Sequence, residues 1–274
     1  MTTPKEYNVT VEAASNDARA LLVEASGLSA NRVAEAMTSG AVWHRNQHGI
    51  RRIRRRSVTL VPGDTLHLNY DPMVLEQSCL PATLLRDGGR WSAWDKPFGM
   101  RSQGSKWGDH TTLGRFAEHH LEPPRESFIV HRLDMAATGI MLLAHDKKAA
   151  ANITGQFAAR TVGKRYTATV AGKFPSREQT FDSDIDGKSA LTTATRIAYD
   201  PEARRSTLEV DIHTGRKHQI RRHLAEAGFP IIGDRMYGSD EDSEDLMLRS
   251  SYIAFDDPDS GERVKIDLAR EENG

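Results

Sequence analysis

Cysteine is almost absent from this chain of 274 residues, which contains a single one, Cys79. One cysteine excludes an internal disulfide framework, and it also excludes a metal site built from several cysteines. A chain of this size without disulfides is typical of a reducing compartment, so we expect a cytoplasmic protein.

Long hydrophobic runs and secretion signals are also missing. No apolar stretch approaches the roughly 18 residues that a membrane-spanning helix requires, so we expect no membrane partner. Residues 1–17 carry no basic region followed by an apolar one, and secretion is therefore not indicated. The hydrophobic fraction of 38% still suffices for a packed core, and the length predicts one large domain or two unequal ones.

Motifs for metals, nucleotides and redox cofactors are absent as well. The sequence has no P-loop and no GxGxxG, the common signatures of nucleotide binding. The EF-hand-like segment 182–187 lacks its final glutamate, because Thr193 stands at the twelfth position. His119 and His120 do not have the spacing of a zinc protease. We therefore expect no cofactor and no metal.

The net charge is small, but the charges are distributed unevenly. The chain has 37 Lys and Arg against 38 Asp and Glu, a net charge of −1. Residues 45–56 nevertheless carry six arginines and no acid, and residues 214–223 carry four Lys or Arg, two His and no acid. Such clusters are typical of nucleic-acid binding, although a single cluster is more often a solvated face.

The first part of the chain predicts a small unit of two helices and a basic hairpin. Asp17 and Ser29 are suitable N-caps for two short helices, and Gly27 and Gly40 follow the helix ends. Strand-like pieces joined by a Pro-Gly-Asp turn come next, at 57–70.

The remainder predicts a larger domain of mixed secondary structure. Period-two alternation at 164–172 and 206–215 is typical of half-buried strands, and 147–160 has the pattern of an amphipathic helix. We expect an α+β fold, with a mixed, mainly antiparallel sheet and peripheral helices. The predicted boundaries are a first domain at 1–75 with its core at about 15–70, a linker or a leading strand at 76–90, and a second domain at 91–274.

One aspartate stands out by its position. Asp134 lies in a short polar loop between two apolar segments of the stretch 128–144. A loop aspartate often only caps a turn. A loop held between two strands is also where catalytic groups are positioned. His131 and Arg132 precede Asp134, and the pattern alone leaves their roles open.

Five motifs in the right order resemble those of the RluA family of pseudouridine synthases. HRLDMAATG at 131–139 resembles the family's HRLD-x-x-TSG motif, and the long block at 214–238 resembles its TGRxHQIRxHl…PIxGDxxYG pattern. Three shorter motifs, at 94–104, 164–172 and 187–195, resemble the family's nKPxGl, K-x-Y-x-A and K-x-A-x-T segments.

The resemblance implies a pseudouridine-synthase-like fold and the isomerisation of uridine to pseudouridine within RNA. By it, Asp134 is the essential carboxylate, acting either covalently or as a base on the sugar. Tyr166 is expected to lie against the flipped-out uracil, and Arg221 is expected to pair with Asp134 and keep it ionised. Arg132, preceded by His131, is a candidate to fill the gap left by the extruded base, or to bind phosphate.

Further basic residues are expected to contact the RNA backbone. Arg216, Lys217 and His218 are interpreted as phosphate contacts, although His218 could equally be structural. The first domain resembles a divergent S4-like RNA-binding domain in its pattern. Its expected phosphate contacts are Arg51, Arg52, Arg54, Arg55 and Arg56. The alternative is an exposed basic hairpin without a ligand.

Several alternatives remain at this point. The chain could be a non-catalytic RNA-binding or ribosome-assembly protein, and a free nucleoside substrate is disfavoured because it would not need the basic clusters. Ribosomal RNA is favoured over transfer RNA by the added basic domain, which is an analogy. We expect a monomer, and we interpret the acidic segment 239–245 as a loop that repels non-cognate RNA.

Overall fold

The computed structural model describes residues 3–239 and 243–268. The chain divides into two compact units, Met1–Cys79 with Gln103–His119, and Leu80–Ser102 with His120–Gly274. Residues 240–242, within the acidic segment 239–245, lie outside the described residues. The role expected for that segment therefore stays a prediction.

The first unit combines short helices with a small antiparallel sheet. Its elements are β1 (Lys5–Thr10), β2 (Ser15–Asp17), α1 (Ala18–Ser26), α2 (Ala30–Thr38), β3 (Val42–Asn46), β4 (Gly49–Arg52), β5 (Ser57–Leu60), β6 (Thr65–Tyr70), α3 (Pro72–Leu75) and most of α4 (Leu113–His120). The sheet has the strand order β1-β6-β3-β4, and β2 pairs separately with β5. The Pro-Gly-Asp turn at 62–64 does not close a hairpin as predicted, because β5 pairs with β2 while β6 pairs with β1 and β3. A hairpin is instead formed by β3 and β4, which lie in the basic segment 45–56 and just before it.

Side-chain caps define the two helices of this unit, as predicted. The Asp17 side chain accepts a hydrogen bond from a backbone N–H in the first turn of α1, and Gly27 follows with a left-handed φ of 68°. Ser29 caps α2 in the same way. Leu22 and Val33 are fully buried on the inner faces of the two helices.

The second unit is built on one large sheet. Its elements are β7 (Thr83–Asp87), β8 (Trp91–Lys96), β9 (Phe128–Ile129), β10 (Thr138–Ala144), α5 (Lys147–Ala158), β11 (Gly163–Ala171), β12 (Gln179–Phe181), β13 (Thr192–Asp200), β14 (Arg205–Ile212), α6 (Gln219–Glu226), β15 (Leu248–Asp256) and β16 (Arg263–Asp267). The strand order is β12-β13-β14-β11-β15-β10-β8-β7, with β16 beside β15 and β9 beside β10.

Antiparallel pairing dominates this sheet, and among the described strands only β10 and β15 pair in parallel. This confirms the predicted α+β fold with a mixed, mainly antiparallel sheet. Trp91, Ile140 and Phe255 belong to the core on one side of the sheet, and helix α5 covers it. In the part of the chain that the structure describes, no helix is long and apolar enough to cross a membrane.

The structure departs from the predicted domain boundaries in two places. The segment 76–90 is not a linker, because β7 lies within it and pairs with β8 as a strand of the large sheet. Residues 103–119, predicted as part of the second domain, group with the first unit. One physical reason is Asp109, whose carboxylate lies 3.1 Å from Arg52 and 2.5 Å from Arg54 of the basic cluster.

Candidate active site

Asp134 lies in the loop between β9 and β10, and its side chain is about one-fifth exposed. The loop is held by Ser102. Its hydroxyl donates a hydrogen bond to the Leu133 carbonyl at 2.6 Å and accepts one from the Leu133 N–H at 3.0 Å. Because these bonds restrain the backbone next to Asp134, the carboxylate is presented in a defined position.

Lys96, at the end of β8, supports the same loop. Its ammonium group is buried and donates to the carbonyls of Pro97, Met100 and Met135, at 3.1, 2.9 and 3.3 Å. Met135 follows Asp134 directly, so the lysine ties the turn after β8 to the loop of the candidate catalytic residue. The pattern at 94–104 predicted a motif here but assigned Lys96 no role.

Arg221, on α6, holds two aspartates at once. Its Nε and Nη2 atoms donate to the Asp234 carboxylate at 2.8 and 2.7 Å, and its Nη1 atom donates to Asp134 Oδ2 at 3.2 Å. Burial disfavours the guanidinium charge, but the bonds to both carboxylates outweigh this effect and raise the pKa of Arg221. The structure therefore brings Arg221 and Asp134 together, as the sequence predicted.

Asp234 is the fixed partner in this arrangement. It is 2% exposed and accepts hydrogen bonds from the backbone N–H groups of Met236 and Tyr237. Burial alone would raise the pKa of Asp234, but the bonds from Arg221 and from the backbone lower it below the ordinary value. Asp234 is thus an anion at neutral pH, and it orients the guanidinium toward Asp134.

His218 lies on the other side of the Asp134 carboxylate. Its Nε2 atom is 3.6 Å from Asp134 Oδ1, and its Nδ1 atom is 2.9 Å from the Tyr237 hydroxyl. Burial lowers the pKa of His218; the charge of Asp134 opposes this effect, and the charges of Arg221 and Lys217 reinforce it. The ring lines the cleft beside Asp134, and both interpretations of His218, the phosphate contact and the structural role, stay predictions.

Tyr166 projects from β11 into the same cleft and is 8% exposed. Burial and the nearby charge of Asp134 raise the pKa of its phenol well above the ordinary value. The hydroxyl therefore keeps its proton at neutral pH. Asp134, Tyr166 and Arg221, which the sequence placed in one site, all line one cleft.

The loop before α6 is locked by Gln219. Its side-chain oxygen accepts from the Thr214 hydroxyl at 2.6 Å and from the Arg216 N–H at 3.0 Å. The Arg216 guanidinium donates to the Ser189 carbonyl at 3.0 Å, whereas Lys217 is exposed and forms no ion pair with any described residue. Both basic residues line the cleft, as a phosphate contact would require.

His131 and Arg132 have different surroundings, although they are adjacent. The His131 Nε2 atom accepts the Leu142 N–H at 2.8 Å, and its ring stacks on Phe157 at 4.6 Å between centroids. Burial and the charge of Lys164 lower the pKa of His131 to about 3. These contacts favour a structural role over the predicted substrate contact. Arg132 is exposed, lines the cleft and has no ion pair among the described residues.

The cleft has a volume of about 670 Å³, which lies in the range of small-molecule pockets and can hold a nucleotide. Its wall is rich in arginine, lysine and histidine around a single carboxylate, Asp134. Among the described residues, no group of three or more His, Cys, Asp or Glu side chains is placed to hold a metal ion.

The five arginines predicted to bind RNA in the first unit fall into two groups. Arg52 and Arg54 pair with Asp109, and Arg56 pairs with Asp17 at 2.8 Å. Arg51 and Arg55 are exposed and form no ion pair within the described part of the chain. Only the second group is free to contact phosphate without breaking a bond in the fold.

The family profile described as RNA pseudouridylate synthase matches residues 90–226, which include every residue that lines the cleft except Leu248. The chain belongs to this family. Its predicted resemblance to pseudouridine synthases is thereby confirmed, and the family's reaction is an isomerisation carried out on RNA.

Relatives of this chain are also named as RNA pseudouridine synthases. A protein of Aquifex aeolicus named as an uncharacterized RNA pseudouridine synthase is 27% identical over 80% of each chain. One from Mycobacterium bovis is 35% identical over 64% of each chain. The dual-specificity RNA pseudouridine synthase RluA of Vibrio parahaemolyticus is 33% identical over 54% of this chain and 70% of its own.

Solved structures share the fold of this pseudouridine synthase family member. The human RNA pseudouridylate synthase domain containing 1 superimposes with a TM-score of 0.59 at 23% identity, over 70% of this chain and 84% of its own. The human domain containing 4 gives a TM-score of 0.56 at 21% identity. No sequence comparison confirms the S4-like character of the first unit, which stays a prediction.

The residues that sequence reasoning missed in this pseudouridine synthase lie inside its motifs. Asp234 and Tyr237 belong to the GDRMYG end of the long block, and Lys96 belongs to the short motif at 94–104. A signal was therefore present, since buried charges must be paired. Which carboxylate pairs with which arginine depends on the tertiary structure, and the motif does not contain that information.

Proposed function

We propose that this protein isomerises specific uridines in RNA to pseudouridine, with Asp134 as the reacting carboxylate. In this reaction the N1–C1′ bond breaks and C5 bonds to C1′, while C5 releases a proton and N1 gains one. The observation that carries the proposal is the placement of the Asp134 carboxylate, which faces the cleft and is held by Arg221 at 3.2 Å. The carboxylate either adds to the substrate or acts as a base on the sugar.

The remaining roles concern the base. To reach the cleft the uridine must leave its stack, which costs a few kcal/mol. We assign Tyr166 to the flipped-out uracil, because a buried, protonated phenol offers both an apolar face and a hydrogen-bond donor. Arg132, exposed at the cleft, fills the space that the base leaves. Arg216 and Lys217 bind the backbone phosphates.

The substrate that we propose is ribosomal RNA. The support is the first unit, which we propose to be an S4-like RNA-binding domain because it combines two helices with a basic hairpin. Transfer RNA is the second candidate, and the dual specificity in the name of the Vibrio relative is the reason to include it in any test. We further propose a monomeric, cytoplasmic protein.

The competing function is RNA binding without chemistry. A binding protein has no need of a carboxylate held by a buried guanidinium and flanked by a protonated phenol. The substitution Asp134→Asn separates the two functions, because it removes the carboxylate and keeps the size of the side chain.

The first prediction concerns this variant. Wild type releases tritium from RNA labelled at uridine C5, because C5 loses its hydrogen when it bonds to C1′. Asp134→Asn lowers the release by at least about a thousandfold, since a reacting group is lost, and it still binds the RNA. The measurement uses ribosomal and transfer RNA, prepared separately from a strain that lacks the protein.

Asp184→Asn is the matched control, because Asp184 is an exposed aspartate in a loop of the same unit. It should release tritium like wild type. Binding of both RNAs without release by wild type would overturn the proposed isomerase and favour the binding protein. Release from transfer RNA alone would overturn the proposed substrate but not the reaction.

A further inference from the structure

Two basic side chains that the mechanism does not use lie together at the cleft. Arg160 follows α5 and Lys164 lies near the start of β11, two residues before Tyr166. Both side chains line the cleft that contains Asp134. Burial lowers the pKa of Lys164, and the neighbouring charge of Arg160 lowers it further. The two cations are therefore close enough to repel each other.

Neither cation is neutralised by a carboxylate of the described residues. In the ranges 3–239 and 243–268, no carboxylate forms an ion pair with Arg160 or Lys164, and the ammonium of Lys164 lies 5.9 Å from the ring centre of Phe157. Other arginines of this unit are paired, such as Arg90 with Asp146. Two like charges in a concave surface without a counter-ion provide an attractive position for an anion.

The backbone at Arg160 is a second, independent observation. Its φ is +59°, in the left-handed region. The N–H of Arg160 donates to the Phe157 carbonyl, and the N–H of Thr161 donates to the Gln156 carbonyl, which ends the helix at a position where glycine is favoured. An arginine is unfavourable for the fold here. The helix end thus fixes the backbone of Arg160 where its side chain reaches the cleft, and Arg204, which has a similar φ of +52° away from the cleft, provides a matched control.

We propose that Arg160 and Lys164 form a binding site for one phosphate of the RNA backbone, at the edge of the pocket that receives the uridine. The inference rests on the proposed function, because RNA supplies the phosphate. When a nucleotide is flipped out, the phosphates that flank it must pass over the rim of its pocket. A guanidinium and an ammonium group are the side chains that recognise phosphate, and Arg132 lines the same cleft as a third unpaired cation.

The test compares Arg160→Gly and Lys164→Met with a matched control, Arg204→Gly. Arg204 also has a left-handed φ, of +52°, but it lies in the turn before β14 and does not line the cleft. Both glycine substitutions relieve the same backbone strain and remove the same charge. Only Arg160→Gly removes a charge from the cleft.

The affinity for labelled ribosomal RNA is measured at several salt concentrations. Arg160→Gly and Lys164→Met should weaken binding by about threefold to tenfold near 0.15 M salt, and each should reduce the slope of log K against log salt by roughly 0.7 to 0.9. Arg204→Gly should bind with the affinity and the slope of wild type. Arg160→Gly should melt at or above the temperature of wild type, so that a folding defect does not explain its weaker binding.

A double variant adds a sharper criterion. If both side chains bind one phosphate, removal of the second changes the affinity less than removal of the first, because the two effects are coupled. Equal affinity and slope in wild type, Arg160→Gly and Lys164→Met would overturn the site. An equal loss in Arg204→Gly would also overturn it, since the effect would then be one of net charge. Absence of tritium release by wild type would overturn the proposed isomerase, and the salt slopes would still decide on the phosphate site.

Discussion

Arg221 joins two aspartates that are distant in the sequence, and their contacts with it are unequal. Asp234 takes two short hydrogen bonds from the guanidinium, whereas Asp134 takes one of 3.2 Å. A bidentate pair fixes the plane of the guanidinium and leaves one N–H to point at the second carboxylate. Asp234 therefore acts through Arg221 as a positioning residue, and Asp134 keeps an oxygen free to react.

Asp234→Asn is the second prediction that concerns the mechanism. An amide cannot accept two charge-assisted bonds, so Arg221 loses its fixed orientation and the Asp134 carboxylate is displaced. A displacement of about 1 Å costs on the order of 100-fold in rate. We expect kcat for tritium release to fall by about 10- to 100-fold, while KM for RNA changes little, because Asp234 is buried and does not reach the substrate.

The acid side of the stability curve provides a second readout for Asp234. Its pKa is lowered in the folded protein, so its contribution to stability is complete above the unfolded value of 3.8 and is lost as the pH falls through the folded value. The Asp234→Asn variant should not show this acid-dependent loss of stability, because it has no carboxylate at this position. Asp186→Asn, which removes an exposed partner of Arg222, is the control and should keep kcat. An Asp234→Asn protein with the kcat of wild type would contradict the positioning role.

At the residue scale, the sequence predicted the reacting residues better than the residues that hold them in position. Asp134, Tyr166 and Arg221 were identified because they stand in motifs, and the structure brings all three to one cleft. Ser102 and Asp234 also stand in motifs, but they were not identified, since the motif does not show which distant group each one bonds. The opposite case is His131. It stands inside the catalytic motif, and yet its ring nitrogen accepts a hydrogen bond from the backbone of β10.

At the scale of elements, the parallel contact of β10 with β15 joins the two sides of the site. Gly139 of β10 is paired with Ser250 of β15, and Tyr166 of β11 is paired with the same Ser250. Gly139 has a φ of +100°, and a Cβ at this position would lie 2.3 Å from the Ser250 carbonyl oxygen. Glycine is therefore required here both by the backbone conformation and by the close approach of the strands.

Gly139→Ala tests this contact. The methyl group forces β10 away from β15, which strains the backbone and separates the strand that follows Asp134 from the strand beside Tyr166. We expect a loss of at least about 2 kcal/mol in the free energy of unfolding, measured by urea denaturation, together with reduced tritium release.

Gly155→Ala is the control for the glycine substitution. Gly155 lies inside α5, and a Cβ there meets no atom within 4 Å. Alanine should therefore stabilise the protein, by about 0.5–1 kcal/mol. Equal stability of Gly139→Ala and wild type would show that the two strands can separate at no cost, contrary to the close packing described here.

Elements with local signals were predicted well, and elements defined by distant partners were not. The caps of α1 and α2 and the alternation in β11 and β14 are local, and all four elements are present. β1 was not predicted, because its role depends on pairing with β6 near the end of the same unit. For the same reason the sequence left open whether β7 belongs to a linker or forms a leading strand, since its partner β8 determines its position in the sheet.

At the scale of the whole molecule, the near-neutral net charge hides separate basic surfaces. Each unit has cations that form no ion pair with a described residue: Arg51 and Arg55 in the first, and Arg132, Arg160 and Lys164 in the second. The sequence showed the basic clusters but could not distinguish a paired arginine from a free one. Asp109, which forms ion pairs with Arg52 and Arg54, lies outside the first domain as it was predicted from the sequence.

The basic hairpin allows a final test that separates binding from stability. Changing both Arg51 and Arg55 to Gln should leave the melting temperature unchanged, because neither side chain has a partner in the described structure. RNA binding should weaken whatever the sequence of the RNA, and the slope of log K against log salt should fall by roughly one to two. Arg54→Gln, the control, removes a bond of 2.5 Å to the buried carboxylate of Asp109 and should instead cost about 1–3 kcal/mol of stability. If the double variant bound RNA with the slope of wild type, the hairpin would be an ordinary solvated face, and recognition of RNA would depend on the cleft of the second unit.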